Sequence, residues 1–140
     1  MADFKTTFEQ LLARSNTKPR RKRPSSEEHE LQVACVNWFR YQYPQYNHNL
    51  FSVPNGGKRD KVTAGKLKAE GQKAGVSDLI LLKPNKHHHA LLIEMKTSKG
   101  RLSQAQAQWR NLITRDGFRY AVCRSIEEFI ETINNYLNDV

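Results

Sequence analysis

Two short apolar runs with acidic ends constrain the fold of this chain more than any other feature. The first, residues 79–82, directly follows Asp78, and the second, residues 91–95, contains Glu94 and is followed by Lys96. Side chains two apart on a strand point to the same face, so Glu94 and Lys96 share one face. If the two runs pair as a hairpin, Asp78 and Glu94 can meet near one end of it.

This pairing predicts a site with a definite chemistry. Two convergent carboxylates repel each other unless a cation lies between them, and hard oxygen ligands suit Mg²⁺ or Mn²⁺. A lysine beside such a metal can orient water or stabilise negative charge on a phosphate. The pattern therefore indicates hydrolysis of a phosphodiester bond. The alternative is that Asp78 caps a turn and Glu94 pairs with Lys96 at a strand end.

Charge and hydropathy restrict the partners. The 140-residue chain has a net charge of +9 and a pI near 9.8, which favours a polyanion. No apolar run approaches the ~20 residues needed to span a membrane, and the N-terminus has no apolar signal core. We therefore expect no membrane partner and a cytoplasmic protein of a bacterial or phage type. Cys35 and Cys123 lie in apolar-periodic segments without a CxxC pair, which predicts reduced core residues.

Residues 1–24 are predicted to form a separate basic arm. Between Arg14 and Arg23 there are six Lys and Arg residues and no acid. The segment is interpreted as a disordered linker, as a phosphate-binding arm, or as both, and a localisation signal is a third option. Apolar residues at helical spacing before it would also allow a short helix at a subunit interface. The proposed nucleic-acid contacts of the arm are Arg20, Arg21, Lys22 and Arg23.

Residues 25–140 are predicted to form one α/β domain with a mixed central sheet flanked by helices, in the order α-β-(α)-β-β-α-β-α. Helix starts are marked near Ser26, at Ser103 and by a capping box from Ser125 to Glu128. Pro44 and Gly117 mark helix ends. The remaining predicted elements are strands at 51–53 and 118–123 and a helix at about 61–68.

A series of residues along this domain resembles the PD-(D/E)xK nuclease superfamily and, more narrowly, the virus-type replication-repair nuclease (VRR-NUC) domain: Glu30, Gly75-x-x-Asp78, Glu94-x-Lys96 and Gln106. The segments 54–57 and 96–103 and the helix start at 106–109 support the resemblance, which covers about residues 26–138. Ser77 stands where such families often have proline, a residue that shapes the backbone and is not a ligand.

The resemblance implies a restriction-endonuclease-like fold and an endodeoxyribonuclease that depends on Mg²⁺ or Mn²⁺. Asp78 and Glu94 would be metal ligands, with the backbone carbonyl of Met95 beside them. Lys96 would position or activate the attacking water.

Two further residues receive roles from the resemblance. Glu30, on the first helix, would bring a third carboxylate to the metal, directly or through water, although Glu27 and Glu28 are neighbouring acids. Gln106 would hold the lysine or a water, and the alternative is an exposed helical glutamine with Gln104 and Gln108 nearby.

The implied substrate is branched or flap DNA, with the Holliday junction a leading option. A four-way junction has two-fold symmetry, and paired cuts are most simply made by a homodimer. The alternatives are a non-catalytic DNA-binding module of the same fold and a nuclease acting on RNA or single strands. The predicted phosphate contacts, each of which also has a structural or solvated interpretation, are Asn55, Gly56, Lys58, Arg59 and Lys73. The histidine run at 87–89 is interpreted as an exposed loop rather than a metal site.

Overall fold

The computed structural model describes residues 24–54 and 60–139. Its elements are helix α1 (Pro24–Gln42), a 3₁₀ helix (Pro44–Asn49), strand β1 (Leu50–Ser52), helix α2 (Lys61–Ala69), strands β2 (Leu79–Leu81) and β3 (Leu91–Met95), helix α3 (Gln104–Arg115), strand β4 (Arg119–Cys123) and helix α4 (Ile126–Asn138). This is the predicted order of helices and strands. The predicted arm falls almost wholly outside the described residues, so its boundary stays a prediction.

The chain divides into two compact units, one up to Asn47 and one from His48 onward. In the first unit, α1 begins at Pro24, slightly before the predicted start, because proline suits the first position of a helix. The helix ends at Gln42, since the residue before a proline disfavours helical backbone. Cys35, Trp38 and Phe39, which lie at helical spacing on one face of α1, are buried.

The second unit is built on a four-stranded mixed sheet in the order β1-β2-β3-β4. The β1/β2 and β2/β3 pairs are antiparallel, whereas β3 and β4 are parallel. A parallel pair needs a crossover connection, which α3 provides. All five residues of β3 are buried, so this strand forms the centre of the sheet.

Helix α4 contributes an apolar stripe to the core. Its buried residues are Ile126, Phe129, Ile133, Tyr136 and Leu137. The helix lies against β4, where the Thr132 hydroxyl is 3.7 Å from the Cys123 sulfur. Burial raises the pKa of the Cys123 thiol to about 11. Cys35 and Cys123 are both reduced and buried, as the apolar context predicted.

The start of α4 differs in one detail from the predicted capping box. The Ser125 side chain accepts a hydrogen bond from the Glu128 N–H at 3.2 Å, which confirms the cap. The Glu128 carboxylate, however, accepts from the Arg124 N–H at 2.7 Å instead of from the N-cap residue itself. The N–H donor to the Glu128 carboxylate is thus one residue earlier than in a standard capping box, and the Ser125 backbone is extended (φ −149°).

The histidine run lies in the loop between β2 and β3, and this loop is joined to α4. The Asn85 side chain accepts from the N–H groups of His87 and His88 and donates to the Tyr136 carbonyl at 3.2 Å. The Tyr136 hydroxyl donates to the Lys83 carbonyl at 2.6 Å. These bonds fix the backbone of the loop, and His87 and His89 are exposed, as predicted.

Within the described part of the chain, no helix combines the length and the apolar character needed to cross a membrane.

Gly75 is placed where the segment before β2 meets the first turn of α3. Its φ of +85° lies in the left-handed region that favours glycine. A Cβ at this position would lie 2.5 Å from the Ala105 carbonyl oxygen and 2.9 Å from the Gln106 nitrogen. Any side chain would therefore push the start of α3 away from the sheet.

We predict that Gly75→Ala lowers the free energy of unfolding by about 2 kcal/mol or more, because left-handed backbone strain adds to the clash. Urea denaturation measures this change. Gly71→Ala is the matched control, because φ is +108° there and nothing lies within 4 Å of the added Cβ. Equal destabilisation of the two variants would show that the close approach of Gly75 to Ala105 is unimportant.

Candidate active site

The β2/β3 register brings Asp78 and Glu94 to the same end of the sheet. Leu79 lies opposite Ile93, so Asp78 occupies the next position of that register, across from Glu94. The Met95 N–H donates to Asp78 Oδ2 at 2.8 Å, and the Asp78 carbonyl accepts from the Val53 N–H at 2.9 Å. The Asp78 carboxylate is therefore fixed against the last residue of β3.

Glu94 is a buried carboxylate, with 2% of its surface exposed. Its Oε1 accepts a hydrogen bond from Gln106 Nε2 at 2.8 Å and lies 3.7 Å from the Lys96 ammonium nitrogen. A buried charge is costly unless it is paired and hydrogen-bonded. The lysine and the amide both act on Oε1 and offset part of this cost, and the shared oxygen shows that Glu94 and Lys96 face the same way.

Gln106 joins the start of α3 to the carboxylate through its one amide group. Its Oε1 accepts from the Ser103 N–H at 2.8 Å, and its backbone N–H donates to Ser103 Oγ at 3.1 Å, which forms the capping box of α3. Since the amide oxygen is used by the cap, the NH₂ group is directed to Glu94. The expected partner of Gln106 was a lysine or a water, whereas its NH₂ group contacts the Glu94 carboxylate.

The loop that follows Lys96 is held by Arg124, a residue that the sequence analysis missed. The Arg124 guanidinium donates to the Thr97 carbonyl at 2.9 Å and also to the carbonyl of Gly100. The Lys96 N–H donates to the Cys123 carbonyl at 3.1 Å, which extends the parallel β3/β4 pairing by one step. An arginine directly after a strand gives no local sequence signal for such a contact.

Tyr120 is a second residue to which the sequence analysis gave no role. It lies beside Leu92 in the parallel register and is 7% exposed, and its ring packs edge-on against Trp109 with centroids 6.2 Å apart. Burial raises its pKa above the ordinary value of tyrosine. The negative charges of Glu94 and Asp78 raise this pKa further, while Arg110 opposes them. The hydroxyl therefore stays protonated throughout the physiological pH range.

Ser77 occupies the position where a proline was expected from the resemblance. It is fully buried, and its hydroxyl donates to the Leu79 carbonyl at 3.2 Å. A side-chain hydrogen bond thus restrains the backbone immediately before the Asp78 strand, which is the structural role expected of the residue at this position.

The other predicted site residues lie in other parts of the chain. Glu30 is an exposed residue of α1 in the first unit, and Lys73 is exposed in the segment between α2 and β2. Their roles stay predictions. The predicted contacts at Asn55, Gly56, Lys58 and Arg59, and those in the arm, lie outside the described residues.

The donor set in the second unit fits a hard divalent cation. Asp78 and Glu94 supply two carboxylates at one sheet end, where the Met95 backbone is bonded to Asp78. Across residues 24–54 and 60–139, no group of three or more His, Cys, Asp or Glu side chains is arranged to hold an ion. Two carboxylates completed by a backbone carbonyl and waters would suit Mg²⁺, which keeps several of its waters in protein sites.

The sequence and the structure were both compared with known proteins. No curated protein sequence matches the chain. A solved structure titled "VRR_NUC domain protein" has a TM-score of 0.71 and 26% identity, and the similarity covers 80% of this chain and 88% of that one. The family model of the VRR-NUC domain matches residues 20–127, a range that contains both carboxylates, the lysine and the glutamine of the site. The chain therefore belongs to the VRR-NUC family of nuclease-type domains.

Proposed function

We propose that this protein is a metal-dependent endonuclease that hydrolyses DNA phosphodiester bonds. The observation that supports this most directly is the cluster at the end of β3, where Lys96 lies 3.7 Å from the buried Glu94 and Asp78 is fixed against Met95. A carboxylate pair with an adjacent ammonium group can hold a divalent cation and act on a phosphate. Membership of a nuclease family supports the same reaction.

In this proposal Asp78 and Glu94 hold Mg²⁺ or Mn²⁺, together with the Met95 carbonyl and with Glu30, directly or through water. The bound ion would neutralise charge that develops on the phosphate. Lys96 would orient the attacking water and hydrogen-bond the phosphate oxygens, since its ammonium group is near the carboxylates without being a metal ligand. Gln106 would keep Glu94 in a single rotamer.

The proposed substrate is branched DNA, such as a flap or a Holliday junction, and the proposed assembly on a four-way junction is a homodimer. The net charge of +9 supports a polyanionic substrate. Lys73, two residues before Gly75, and the basic pair Lys58 and Arg59 are proposed to contact phosphates near the site. Cleavage assays on duplex, flap, splayed and four-way DNA with Mg²⁺ and with Mn²⁺ test this function. If none of these substrates is cut with either metal, the proposal is contradicted.

We predict that Asp78→Asn and Glu94→Gln each abolish Mn²⁺ binding and cleavage. Each substitution removes a negative charge with little change in shape, and Asp78→Asn keeps an oxygen for the Met95 N–H, so the fold should persist. Calorimetric titration with Mn²⁺ and a nuclease assay measure the two effects. Asp116→Asn, at an exposed carboxylate after α3, is the matched control. Full cleavage by either site variant would disprove the metal-ligand assignment.

Lys96→Ala is expected to separate catalysis from metal binding. The lysine is not a ligand, so calorimetry should still detect Mn²⁺, while turnover should fall roughly 10²-fold, the scale for removal of a catalytic group. Lys99→Ala removes an exposed lysine from the same loop and should leave turnover near the wild-type value. Loss of metal binding without loss of rate would reverse the proposed roles.

The pair Gln106→Ala and Ser103→Ala distinguishes helix capping from support of the site. Both variants break the capping box, and each should cost about 1 kcal/mol of stability. Only Gln106→Ala also removes the hydrogen bond to Glu94, so only this variant should lower turnover substantially. Comparable turnover in the two variants would assign Gln106 a capping role alone.

The basic arm is predicted to add DNA affinity without sequence preference. Deleting residues 1–24 should weaken binding and flatten its salt dependence, by about one unit of slope for each phosphate that the arm neutralises. Mn²⁺ binding by the deletion variant serves as the control for an intact site, and light scattering tests whether the arm also maintains a dimer. An unchanged salt slope and an unchanged assembly would leave the arm without either role.

A further inference from the structure

The Tyr120 hydroxyl is a buried polar group that has no hydrogen-bond partner among the residues that the structure describes. Tyr120 is only 7% exposed, so bulk water does not supply the hydrogen bond that the hydroxyl lacks. A buried hydroxyl that makes no hydrogen bond destabilises the folded state, and such groups usually mark a bound water, an ion or a functional site. This group therefore points to a ligand.

The position of Tyr120 indicates what that ligand is. In the parallel register Leu92 pairs with Tyr120 and Glu94 pairs with Val122, so Tyr120 and Glu94 lie on the same face of the sheet. Trp109, from the helix that carries Gln106, packs against the edge of the tyrosine ring. The hydroxyl is thus enclosed between β4 and α3, on the face of the sheet that carries the Asp78 and Glu94 carboxylates.

We propose that Tyr120 is a positioning residue of this site, whose hydroxyl donates a hydrogen bond to a water molecule held beside Asp78 and Glu94. This inference rests on the proposed metal-dependent function, because the water would be one that a hydrated divalent cation keeps in its coordination shell. In other metal sites, groups outside the coordination shell hydrogen-bond to the metal ligands and orient them, and the Tyr120 hydroxyl would act on the water in the same way.

Two observations favour a water over a direct bond to a carboxylate. The charges of Asp78 and Glu94 both act on the hydroxyl, yet neither side chain accepts a hydrogen bond from it. The phenol O–H is a hydrogen-bond donor at neutral pH, so it can donate to such a water. A water is the smallest molecule that accepts from the phenol and still binds a cation through its oxygen.

Tyr120→Phe tests this role because it removes only the hydroxyl. Tyr136→Phe is the matched control, since that residue is equally buried but its hydroxyl donates to the Lys83 carbonyl. Three quantities are measured for the wild type and both variants: Mn²⁺ affinity by calorimetry, thermal stability of the metal-free protein, and turnover on the best DNA substrate.

For Tyr120→Phe we expect Mn²⁺ affinity or turnover to fall roughly 10- to 100-fold, the range seen for outer partners of metal ligands, with no loss of metal-free stability. Tyr136→Phe should show the opposite pattern, with lower stability and wild-type metal binding. Wild-type affinity and turnover in Tyr120→Phe would overturn the role of Tyr120, as would a loss of metal-free stability equal to that of the control. If the wild-type protein binds no Mn²⁺, the proposed metal site itself fails, together with the role that depends on it.

Discussion

The antiparallel register that places Leu79 opposite Ile93 brings Asp78 across from Glu94 and so places the two carboxylates of the candidate site together. Because side chains alternate along a strand, a slip of one residue would send Asp78 and Glu94 to opposite faces and move the apolar residues out of the core. The complete burial of Leu79, Leu81 and Ile93 opposes such a slip. The hydrophobic core thus fixes the position of the carboxylates.

The burial of Glu94 is the second constraint, and the surrounding residues reduce its cost. Gln106 donates to the carboxylate, and Lys96 offsets its charge from two residues further along the chain. Since the oxygen of the Gln106 amide caps α3, the same side chain serves the helix and the site. The close approach of Gly75 to this helix turn completes the arrangement, which means that helix formation and carboxylate orientation depend on each other.

The sequence predicted the helices and strands, and the convergence of Asp78, Glu94 and Lys96, because the signals for these features are local. Alternation and apolar runs identified the hairpin, and Ser103 and Ser125 identified two helix starts. The partner of Gln106, the bonds of Arg124 and the enclosed hydroxyl of Tyr120 were not predicted. These contacts join residues that are 12 to 27 positions apart, or depend on how a helix packs on the sheet, and no spacing rule encodes them. Glu30 and the arm keep the roles that the resemblance gave them as predictions.

The two carbonyl bonds of Arg124 have a consequence for how the protein matures. This residue follows β4, which is joined to its parallel neighbour β3 by the α3 crossover. During synthesis the carboxylates and the lysine therefore leave the ribosome well before the arginine that immobilises their loop. A nascent or C-terminally truncated chain would thus carry the proposed catalytic groups without the arginine that holds the loop after Lys96.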